Sequence, residues 1–156
     1  MEAALLGLAG RLDSTGLNAW ASGSAWAYPL ANSIHLLGLV MLVGGIAVVD
    51  LRLAGLWTRL PARELSRALT PVAIAGLAIL VASGTILFAA DATALASSAT
   101  FHRKLVLIGL ALANAALFRW LWKRGAMPAA LVRALAVSSL LLWLAVGTLG
   151  RLIAYS

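Results

Sequence analysis

Few residues of this 156-residue chain can do chemistry, since only 11% are charged and only two are histidine. His35 heads the run "HLLGLVMLVGGIAVV", which is otherwise apolar, and Asn32 lies about one helical turn earlier on the same face. An imidazole in such a setting can ligate a metal ion or a haem, or relay a proton. Its plain structural role would be a neutral ring hydrogen-bonded to a neighbouring helix, and the sequence leaves both readings open.

His102 is the only second imidazole and, with His35, the only candidate metal-ligand pair. It precedes Lys104 by two residues, about 200° around a helix, so the two cannot both face a bundle centre. It also stands about one turn shallower than His35, and its simplest reading is a solvated interfacial side chain. Lys104 and Arg151 fall at the ends of apolar segments on the side of His35. With Asn32 and Asn114, these three form the candidate cofactor-binding set: two cations and an imidazole suit the carboxylates of a haem or another acidic molecule. Lys104 and Arg151 would otherwise reach to lipid phosphates. Asn114 would otherwise be a hydrogen bond between helices, and Ser138, Ser139 and Thr148 are expected to bond their own helix backbone. Asp50 is expected to pair with Arg119 or Arg133.

The chain has no cysteine, which excludes disulfides, thiolate metal sites and cysteine catalysis. It shows no Ser-His-Asp set, glycine-rich phosphate loop or paired carboxylates, so no enzymatic reaction is assigned. The net charge of +7 is spread between apolar segments instead of gathered in a patch, which argues against nucleic acid.

The elements that must position these residues follow from composition. Hydrophobic residues make up 63% of the chain, against about 45–50% in soluble proteins, and 156 residues enclose too little interior to bury them. The expected fold is all-α, a single integral membrane domain over 1–156, built as a four-helix up-down-up-down bundle. Spans are expected at about 29–49, 71–90, 105–121 and 131–153. Pro29 and Pro71 would occupy first helical turns, with Pro128 just before the last span. Trp20, Trp26 and Tyr28 at one boundary and Trp120 and Trp122 at another mark membrane–water interfaces. Residues 2–13 read as a short amphipathic helix lying along the interface. Gly38, Gly44 and Gly45, then Ala75, Ala78 and Ala82, then Gly147 and Gly150, are expected to allow close helix approach. Eight basic residues in the first and third connections, against four on the other side, place those connections in the cytoplasm and both termini outside.

Across nearly its whole length the sequence resembles an uncharacterised bacterial family of four-helix membrane proteins. The likeness is carried by Trp26 and Pro29, by His35, Gly38 and Leu39, by Asp50 to Leu56, by Phe101 and Lys104, by Asn114, and by Gly150, Arg151 and Ile153. His35, Lys104, Asn114 and Arg151 fall on its pattern, and His102 does not. In architecture the chain is also similar to small membrane b-type cytochromes and copper-resistance membrane proteins. The expected function is therefore that of a small inner-membrane protein holding haem b or a metal ion in an external-leaflet pocket for electron transfer. The alternatives are a non-catalytic subunit of a larger membrane complex and a small-solute or metal permease. Expected partners are the lipid bilayer and a membrane protein or further copies of the chain.

Overall fold

A computed structural model describes residues 1–125 and 127–153, and all regular structure among them is helical. In chain order the helices are α1 (Glu2–Ser14), α2 (Leu17–Gly23), α3 (Ala27–Ala54), α4 (Ala62–Ala90), α5 (Ala92–Ser97), α6 (Ala99–Lys123) and α7 (Ala129–Leu152). Four of them, α3, α4, α6 and α7, are long and apolar enough to cross a membrane, with 28, 29, 25 and 24 residues. At about 1.5 Å per residue even the shortest exceeds the roughly 30 Å of a hydrocarbon core. The chain is thus a multi-pass membrane protein by length and composition of its helices.

Each long helix runs past the apolar stretch legible in the sequence. The largest difference is in α4, which starts at Ala62 behind an N-capping Pro61, so that Pro71 lies inside the helix instead of in its first turn. The segment 62–70 carries Arg63, Glu64 and Arg67 and escapes a hydropathy reading, yet helix propensity carries it on. Two short helices, α2 and α5, were also not foreseen, because six or seven residues carry too little periodicity to read. Together with α1 they pack about the start of α3, the end of α4 and the start of α6. None of the residues of α1 is buried.

The end of α3 explains the sequence "DLRLAGL". Gly55 has φ 118°, the left-handed conformation that closes a helix, and the Leu56 N–H donates to Leu51 O at 3.0 Å. Arg52 then braces the following loop, its Nε donating to Leu60 O at 2.6 Å and its Nη2 to Thr58 O at 3.0 Å. Within that loop Trp57 sits at φ 48°, rare for a side chain of its size, and is exposed.

Helix α3 packs closely on α4 and on α7, and α6 packs on α7. Glycine decides the first interface. A Cβ placed on Gly76 would stand 2.6 Å from Leu42 N and 2.7 Å from Gly38 O, and one on Gly38 would stand 2.9 Å from Gly76 O. Gly45 meets Leu69 and Ala73 further along. The close face of α4 is therefore Ala73, Gly76, Ser83 and Gly84, whereas the expected Ala75, Ala78 and Ala82 point outward, as does Gly44. Alanine suits either surface in lipid, so its spacing does not mark an interface; an approach as close as that of Gly38 to Gly76 leaves no room for a Cβ. Around this seam Leu42, Ala73, Ala111, Trp143 and Val146 form the core. Ala111 is the only buried residue of α6.

Candidate functional site

His35 faces α4, as an inward imidazole must. Its Nδ1 lies 2.9 Å from Ser83 Oγ, and Gly84 leaves room for the ring: a Cβ there would stand 3.3 Å from Cε1. The direction of this bond is fixed by chemistry. Ser83 Oγ is 2.6 Å from Ile79 O, a carbonyl that can only accept, so the single hydroxyl proton of Ser83 is used there. Ser83 must therefore accept from His35 Nδ1–H. Nε2 is left as the basic nitrogen of the neutral ring, and no hydrogen bond among the described residues engages it.

Lys104 approaches from α6. Its Nζ stands 3.3 Å from where a Cβ on Gly150 would be, so the ammonium lies against the bare backbone of α7 and is close enough to act electrostatically on His35. Arg151 follows Gly150 at the end of α7, with its side chain exposed. Glycines at 84 and 150 thus admit the imidazole and the ammonium, one from each flanking helix.

The other candidates lie elsewhere. Asn32 is exposed on the surface of α3, because helical twist turns it from the face that carries Ala31 and His35 inward. Asn114 donates from Nδ2 to Leu135 O at 3.0 Å, tying α6 to α7 about ten residues, or roughly 15 Å, along α6 from Lys104. His102 opens α6 at the same end as His35. It is half-buried instead of solvated, and its Nε2 is buried with no partner. Beside it Phe101 stacks on Phe88 of α4, with ring centroids 5.6 Å apart. Ser83 and Gly84 escape the sequence reading, although a serine and glycine side by side in an apolar span are the available signal; Gly150, expected to admit a neighbouring helix, admits Lys104, whereas Gly147 has nothing within 4 Å.

At the far end of α3, Asp50 makes no ion pair with Arg119 or Arg133 among the described residues. Its side chain lies near Ser139 of α7, and its Oδ2 is buried with no hydrogen-bond partner among the described residues. Arg133 lies instead over Gly55, and Arg52 is occupied by the loop. Thr148 donates to its own backbone at Leu144 O, 2.9 Å away, as expected.

Four long apolar helices with an imidazole turned inward at one end and a carboxylate at the other define a small multi-pass membrane protein with polar groups inside its helix packing. More particularly, the chain belongs to the family of unknown function DUF6644, whose model matches residues 15–156. No curated protein matches the chain, and no solved structure does.

Proposed function

We propose that this chain binds haem b near the external leaflet of the bacterial inner membrane, where His35 would hold the iron, and serves electron transfer. The observation that carries this reading is the Ile79–Ser83–His35 relay of hydrogen bonds, which holds the ring by Nδ1–H and leaves Nε2 as a donor atom. Ligating histidines are held in this way by a hydrogen bond on their other nitrogen. Lys104 and Arg151 would meet the propionates, and His102, its Nε2 also without a partner, is the candidate second ligand. Bound haem would supply one-electron redox chemistry; the protein's part is to orient the imidazole, neutralise the acidic edge and exclude water.

A bare metal ion fits the donor set less well. No group of three or more His, Asp or Glu able to hold one occurs among the described residues, and Lys104 adds positive charge beside the ring. The framework we propose is one domain over 1–156 with its four spans running up, down, up and down. The pairing of Gly38 with Gly76 and Gly45 with Ala73, and of Lys104 with Gly150 and Asn114 with Leu135, supports that order. Both termini face the outside, and α1 lies along the interface.

The test is an optical spectrum of protein purified from haem-replete cells. A Soret band that vanishes in His35→Ala and shifts in His102→Ala is expected; a colourless wild-type preparation would overturn the reading. A second reading, as a subunit of a larger membrane complex, is favoured by α6, in which Ala111 is the only buried residue. A stoichiometric partner recovered in detergent pull-down, with no chromophore, would favour it.

A further inference from the structure

The end of α3 remote from His35 holds a second polar site that the haem reading does not use. Asp50 is 9% exposed, Ser139 7% and Trp143 3%. Two of these carry a buried atom with no partner: an acceptor, Asp50 Oδ2, and a donor, Trp143 Nε1. They belong to one seam. Asp50 lies opposite Ser139, and Trp143 follows Ser139 by four residues, one turn on the same face of α7. Side chains on a helix lean toward its N-terminus. In α3 that carries the Asp50 carboxyl deeper, and in α7 it carries the Trp143 indole back toward Ser139, so the two lean toward each other. Trp143 is also the exception among tryptophans, since the other five of the six are exposed.

We propose that Asp50, Ser139 and Trp143 form a buried proton-binding site between α3 and α7, in which the Asp50 side chain is held as the neutral acid. The charged groups about it do not neutralise a carboxylate. Arg52 of α3 is bonded to Leu60 and Thr58, and Arg133 of α7 lies over Gly55. On α4, Arg63, Glu64 and Arg67 are exposed, as is Arg119 of α6. An ionised carboxylate in such apolar surroundings is strongly disfavoured without a paired cation. The neutral acid offers one O–H donor and a carbonyl acceptor, which Ser139, Trp143 or a bridging water can satisfy. The ligand is thus a proton, exchanged with the side of the membrane that carries the Arg52 and Arg133 loops.

Infrared spectroscopy of the full chain in lipid at neutral pH tests this, with aspartate carrying carbon-13 at its side-chain carboxyl. Of the three aspartates, Asp13 and Asp91 are exposed, so a buried acid can come only from Asp50. Expected is a carbonyl band of a protonated acid above amide I that moves down on labelling, is absent from Asp50→Asn and shifts in Trp143→Phe. A labelled wild-type spectrum with aspartate intensity only in the carboxylate stretches would overturn the proposal, whether or not the variants fold. So would a band that survives in Asp50→Asn. A band unmoved by Trp143→Phe would remove the tryptophan, and with it the three-residue site.

Discussion

A single serine settles what His35 can offer. Because the Ser83 hydroxyl is spent on Ile79 O, the imidazole is held by Nδ1–H and presents Nε2 as a base or ligand. Ser83→Ala removes that acceptor while keeping the volume nearly unchanged. Loss of an orienting partner of a ligand typically weakens binding about 10–100-fold. We therefore expect Ser83→Ala to lower haem retention to that degree while the detergent-solubilised protein melts near the wild-type temperature, and a haem titration followed in the Soret region measures it. His35 was legible in the sequence as a polar residue in an apolar run, but its partner was not, since serine in a span most often bonds its own helix. Ser83 does both at once. Asn32 shows the converse, for the residue one turn from His35 faces outward.

Among elements, the α3–α4 seam is the tightest, and it depends on glycine having no Cβ. Gly76→Ala would drive a methyl to 2.6 Å from Leu42 N, a backbone atom that cannot rotate away, so the helices must separate. Overpacking of this kind costs about 1–3 kcal/mol, and a marked fall in melting temperature in detergent is expected. Gly44→Ala, where a Cβ meets nothing within 4 Å, serves as the contrast and should stay within about 0.5 kcal/mol of wild type. The existence of the four long helices was plain from hydropathy, whereas α2, α5 and the first two turns of α4 were not. Those parts are held by packing at the bundle end or by polar helix formers, neither of which a window of apolar residues detects.

For the molecule as a whole, polar chemistry is divided between two ends of one helix. His35 and Asp50 are separated by fifteen residues of α3, about 22 Å along its axis. The proposed orientation in the bilayer rests on the arginine-rich connections, and the chain's lack of cysteine makes it easy to test. Ser14→Cys should react with a membrane-impermeant maleimide in intact cells, and Arg59→Cys only after permeabilisation. The reverse pattern would invert the bundle and move the His35 end to the cytoplasm. The exposed apolar surface of α6 belongs to this scale too, since lipid or another helix must cover it.

Composition and hydropathy determined by themselves that this is a membrane protein of four long helices, because an excess of apolar residues has no interior to enter and each run is long enough to span a bilayer. The unusual residues in those runs, His35, Asp50, Lys104 and Asn114, were equally visible, since a polar group is conspicuous against hydrocarbon. Tertiary structure alone decided which of them meet. In lipid both faces of a helix are apolar, so the hydrophobic pattern that fixes rotation in a soluble bundle carries no information about the inward face. Close contacts at Gly38, Gly76, Gly84 and Gly150 set that rotation instead, and with it the pairing of His35 with Ser83 and the burial of Asp50 near Ser139.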